Sequence, residues 1–196
     1  MKRHAFNNSL FLVERLVRYN LKIIFANWFI YFLLAASGIY LLVTIINILN
    51  YNTFNPEGVY YLLLVPGFLL VFYPTTFGIQ NDVDSRMLEI LFGIPNYRYK
   101  VWLVRMAIIY VVVFTMVFVL SALSLFALAN FPIFDMVFQL MFPIFFMGCL
   151  AFLISTLVRN GYGTAIIMII IGLAFFIGSG MVGVSTYNIF LNPFAM

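Results

Sequence analysis

Five long apolar runs, none holding an acidic residue, decide what this chain can fold into. They cover approximately Ile23–Leu49, Val59–Ile79, Val101–Leu128, Met136–Val158 and Tyr162–Met181. Each reaches the ~20 residues that a helix rising ~1.5 Å per residue needs to cross a hydrocarbon core of ~30 Å. A water-soluble domain is about half apolar and a quarter charged. Here 65% of 196 residues are hydrophobic and 8% are charged, too much apolar surface to hide behind a polar exterior. No run alternates strictly between apolar and polar, so a helical bundle is expected and a barrel is not. The expectation is an all-α membrane protein: a segment over 1–22, then one membrane domain over 23–196.

The basic residues orient the bundle. Lys2, Arg3, Arg15, Arg18 and Lys22 precede the first run, Arg86, Arg98, Lys100 and Arg105 surround the second-to-third connection, and Arg159 lies at the fourth-to-fifth. The connections Asn50–Gly58 and Ala129–Asp135 hold none, and neither does the tail after Met181. All ten Lys and Arg residues therefore fall on one side, which predicts a cytoplasmic membrane with the N-terminus inside. Lys22 and Arg105, which touch the runs, are expected to snorkel to that surface. The net charge of +4 is spread in short clusters and forms no nucleic-acid patch. The first run starts late and runs long for a signal peptide.

The N-terminal segment has its own pattern. Asn7, Asn8 or Ser9 suits the cap of a helix starting near Leu10. On a helical wheel Glu14, Arg15, Arg18 and Lys22 share an arc of about 100°, opposite Leu12, Val13, Leu16, Val17 and Leu21, with Phe11 as the misfit. Glu14 and Arg18 are also an i,i+4 pair. Two readings fit: an amphipathic helix lying on the inner surface, or a cytoplasmic extension of the first span.

The second-to-third connection, Gln80–Lys100, is the most informative stretch. Asp82, Asp84 and Ser85 are good N-caps, and Gly93 and Pro95 are good stops. Between them fits a two-turn helix, Arg86–Phe92, with Met87 and Leu91 on one face and Leu88 and Phe92 beside each other on another. Pro95 then suits the start of the third span. An apolar helix bracketed by charges at a cytoplasmic surface is either a knob for a partner protein or a loop helix half-sunk in lipid.

Leu88-Glu89-Ile90-Leu91, then Pro95 and Arg98, following a span that contains Pro66-Gly67, resembles the permease subunits of type-2 ABC exporters. The fourth-to-fifth junction, Leu150–Asn160, resembles the family's segment there, and the N-terminal amphipathic segment resembles its connecting helix, with Glu14, Arg15 and Arg18 on the charged face. The resemblance covers nearly the whole chain. It departs in two places: Arg86-Met87 stands where the family usually has a glycine, and the family has six spans where five are visible here. Val182–Met196 is too short and too broken to span, and resembles the start of the family's external re-entrant segment. A sixth helix is then expected to follow or to come from a neighbouring chain.

The resemblance implies a division of labour. Such permeases dimerise, as two copies or with a paralogue, and present the short coupling helix to an ABC ATPase subunit. The contact set would be Met87, Leu88, Glu89, Leu91, Phe92 and Arg98. ATP and Mg would be bound by that partner, since this chain has no Gly-Lys dipeptide and so no P-loop. No cofactor or metal is expected in the chain itself. The family's path lies between the second and fifth helices of the two subunits. Here Phe68, Phe72, Phe175 and Phe176 are the walls available, and greasy walls favour a lipid-linked or hydrophobic cargo.

Other functions fare worse on the residues. His4 is the one histidine, Cys149 the one cysteine, and no acid lies within a run, so neither an intramembrane enzyme nor a proton-coupled carrier has its chemistry. A non-transporting membrane scaffold or accessory subunit stays open. Pro66, Gly67, Pro74 and Gly78 in the second run, and Gly172, Gly178, Gly180 and Gly183 in or after the fifth, serve either a path or plain helix packing.

Overall fold

The computed structural model describes residues 29–50, 55–84, 97–182, 190 and 192–194. Nearly all of them lie in five helices: α1 (Phe29–Leu49), α2 (Pro56–Asp84), α3 (Tyr97–Ala127), α4 (Ile133–Val158) and α5 (Gly161–Val182). No strand occurs among the described residues. All five helices are long and apolar enough to cross a membrane, which makes this the architecture of a multi-pass membrane protein. The amphipathic helix expected over 1–22, with Glu14, Arg15 and Arg18, falls outside the described residues. So does the coupling helix Arg86–Phe92.

α2, α3, α4 and α5 each begin before the apolar run that announces them. α2 starts at Pro56 rather than Val59, because proline at a first helical position loses no hydrogen bond. The Val59 amide closes that first turn on the Asn55 carbonyl at 3.2 Å. At its other end α2 continues through Gln80 to Asp84, past the expected end at Ile79. Polarity marks where a helix leaves hydrocarbon, not where it stops. Asp82 therefore lies inside α2. α4 likewise starts at Ile133, directly behind Pro132, rather than at Met136.

α2 is the central element: 56% of its spanning residues are buried, against 17% for α1 and for α5. Two glycines let α2 and α4 approach closely. A Cβ at Gly67 would collide with the side chain of Ile144. One at Gly148 would meet the Tyr110 hydroxyl and come within 2.7 Å of Val71 Cγ1. These glycines serve packing, the usual role of small residues between membrane helices. α2 also carries Pro66 and Pro74 within its length. Pro74 deprives the Leu70 carbonyl of its usual donor. Just beyond it the Thr75 hydroxyl donates to the Val71 carbonyl at 2.7 Å, and the Thr76 hydroxyl to that of Phe72.

α1 is held by a polar contact. The buried Tyr40 hydroxyl shares a 2.7 Å hydrogen bond with Ser124 Oγ of α3 and donates to the Leu120 carbonyl at 3.2 Å. Interhelical bonds of this kind contribute about 0.6 kcal/mol each in a membrane. Arg105, near one end of α3, is 8% exposed, with its guanidinium 5.3 Å from the centre of the Trp102 ring. Trp102 in turn packs on Phe152 of α4 at 5.4 Å. A flat, weakly hydrated cation can stack on an aromatic face where a lysine would have to reach water.

Candidate functional site

A cavity of about 900 Å³ opens between α2, α4 and α5. One stripe of α2 forms its longest wall, with Tyr61, Leu64, Val65, Phe68, Val71 and Phe72 recurring at three- and four-residue spacing. α4 supplies Met147 and Ala151, and α5 supplies Met168, Ile169, Gly172, Phe176 and Ile177. Phe190, from beyond α5, completes the lining. Its floor is buried, as at Val71 (2% exposed), whereas its rim is open, as at Val65 (50%).

Of the four phenylalanines singled out in the sequence, Phe68, Phe72 and Phe176 line this cavity. Phe175 does not. It turns to the neighbouring face, edge-on to Phe146 at 5.7 Å, and supports Phe190 from behind at 5.9 Å. The α4 residues and Phe190 were not visible as site residues in the sequence. Nor were Tyr61, Leu64 and Val65, which lie one and two turns before Phe68 on the same stripe of α2.

Phe190 is held in place by its neighbours. Its ring meets Phe68 edge-on at 5.9 Å. Two residues on, Asn192 is 2% exposed, and its amide donates to the Glu57 carbonyl in the first turn of α2 at 3.1 Å. The Asn192 side-chain oxygen accepts from the Phe194 amide at 3.0 Å, a local turn that asparagine favours. The Phe194 ring then lies 6.3 Å from that of Tyr60.

A second polar contact set lies at the opposite end of α2. Ser155 Oγ of α4 donates to the Thr76 carbonyl at 2.9 Å, and the Gly161 amide donates to Gln80 Oε1 at 2.6 Å. The α4–α5 turn is only two residues long, and Arg159 adopts φ 54° in it. Asn160 caps α5 through its side-chain oxygen, which accepts from the amides of Tyr162 at 3.0 Å and Gly163 at 3.2 Å. Gly161 is obligatory here, because a Cβ would strike Phe77 and sit 2.6 Å from Gln80 Oε1. The end of α2 and the α4–α5 turn are thus fastened at two points.

The expected ATPase contacts Met87, Leu88, Glu89, Leu91 and Phe92 lie outside the described residues, and Arg98 lies in the first turn of α3. No group of three His, Cys, Asp or Glu side chains capable of holding a metal occurs among the described residues. The described lining is hydrocarbon, aromatic and thioether apart from the Tyr61 hydroxyl, so it can hold apolar matter. Family models, curated proteins and solved structures give no match to this chain.

Proposed function

We propose that this chain is the permease subunit of an ATP-driven exporter of the type-2 ABC kind. It sits in the cytoplasmic membrane with its N-terminus inside and pairs with a second permease copy or a paralogue. Hydrolysis of ATP, with Mg, takes place on a separate ABC ATPase subunit, and this chain is not itself an enzyme. The cargo is hydrophobic or lipid-linked.

One observation supports this reading above the others. α2 forms the longest wall of the cavity, and the same helix runs out through Gln80 to Asp84. There the Arg86–Phe92 segment begins, whose apolar residues between charges suit a protein partner. A push on that segment would reach the cavity along one continuous helix. The contacts from Ser155 and Gly161 would carry the inner ends of α4 and α5 with it. Purification of the tagged chain from its native membrane in mild detergent tests the reading. An ABC ATPase should be recovered in stoichiometric amount, and its consistent absence would leave a non-transporting scaffold or accessory subunit as the better description.

A further inference from the structure

We infer that the cavity between α2, α4 and α5 is a groove for a single alkyl chain, entered sideways from the bilayer. The inference deepens the permease reading, and only its claim that the chain belongs to the exported molecule rests on that reading.

Length, shape and chemistry carry it. The α2 wall runs from Tyr61 to Phe72, about 16 Å at ~1.5 Å per residue. That is close to half of a ~30 Å hydrocarbon core, the reach of one leaflet's chain. The volume of about 900 Å³ is generous for one flexible chain. It is well short of the roughly 2,000 Å³ or more that a helix ~10 Å wide displaces in crossing the core, so no further span fits inside. The exposed rim, with Tyr61, Val65, Ile169 and Phe176, lies on spanning segments of α2 and α5, so the mouth opens at membrane depth. A polar cargo would lose its hydration there and gain no hydrogen-bonding partners, whereas a chain leaves the bilayer at little cost.

Two residues shape the groove. Gly172 makes room in the α5 wall: a Cβ there would meet only Met147 Cε, at 3.6 Å, an ordinary contact with the end of a flexible side chain. A Cβ at 172 therefore adds bulk to the groove wall without disturbing the helix packing. Phe190 closes one side as a ring contributed from beyond the spans, backed by Phe175 and tethered through Asn192.

Photolabelling tests this on the full chain in vesicles of phosphatidylcholine and phosphatidylglycerol. The probe is a phosphatidylcholine bearing a diazirine on the outer third of one chain, with labelled residues mapped by mass spectrometry. Labelling should concentrate on Phe72, Met147 and Met168, and Gly172→Leu should lower it there about tenfold. Labelling of the exposed α1 face at Leu34 and Leu42 should not change. Phe190→Ala should raise labelling of Phe68. Labelling spread evenly over lipid-facing residues, or unaffected by Gly172→Leu, would overturn the groove. A second copy covering the mouth would also overturn it, by abolishing labelling in the unmodified chain. No ATPase is needed, so the two readings fail separately: an unlabelled groove leaves the permease reading intact, and a labelled groove without an ATPase partner counts against the permease alone.

Discussion

Gln80 and Ser155 both tie α2 to the α4–α5 turn, yet removing them should have unequal consequences. Gly161 opens α5, so its amide has no acceptor within the helix. Asn160 cannot stand in, because its side-chain oxygen already serves Tyr162 and Gly163. Gln80→Leu keeps the bulk and deletes the acceptor, leaving a buried donor unsatisfied at a cost of about 1–3 kcal/mol. Ser155→Ala instead removes a donor from the Thr76 carbonyl, which lies inside α2 and belongs to its helical hydrogen-bond ladder. That loss should be near the ~0.6 kcal/mol typical of interhelical bonds in membranes. Amide hydrogen exchange in detergent micelles measures both. Gly161 should exchange about five- to a hundredfold faster in Gln80→Leu, since each 1.4 kcal/mol is tenfold, and less than about threefold faster in Ser155→Ala. Equal effects, or an unchanged Gly161 in Gln80→Leu, would refute the assignment of this contact as the stronger fastening.

Three further outcomes are expected. Gly67→Ala should destabilise the bundle by about 1–3 kcal/mol in a detergent unfolding titration, because its Cβ meets Ile144; adding Ile144→Val, which removes the colliding Cδ1, should recover part of that loss, and strict additivity would contradict the contact. Tyr40→Phe should cost about 0.6 kcal/mol by the same titration, and no more than ~1.7 kcal/mol, since it removes a hydrogen bond between α1 and α3. In a Cys149→Ser background, cysteine at exposed Asn55 or Asn130 should react with an impermeant maleimide in intact cells, and labelling only after lysis would reverse the orientation. Phe131 is the poorer probe of that connection, because it is buried at 8% exposure.

The five helices were legible in the sequence because each contains an apolar run free of acids, and lipid leaves the backbone of such a run few alternatives. Their ends were not. Nothing about Gln80-Asn81-Asp82 says whether a polar stretch continues α2 or caps a new helix; the structure continues it. Arg105 stacks on Trp102, one turn earlier on the same helix, a spacing open to the sequence, whereas its burial comes from tertiary packing that is not. The cavity was half visible. Phe68 and Phe72 share a stripe of α2, but Phe175 and Phe176 differ by about 100° around α5, and only the second lines the cavity. Met147, Ala151 and Phe190 join the lining through tertiary packing, which no local pattern announces.

In the proposed permease, this chain couples a cavity in the membrane to ATP hydrolysis on another subunit. The most direct measurement is made on Leu91→Ala/Phe92→Ala in the purified complex. Truncating such side chains in a packed contact costs about 2–5 kcal/mol, a loss of affinity of at least tenfold. The double variant should insert normally, yet recover far less ATPase and lose cargo-stimulated hydrolysis. Full recovery of the ATPase with normal stimulation would contradict the account, and residues 86–92 would then be a surface helix resting on lipid.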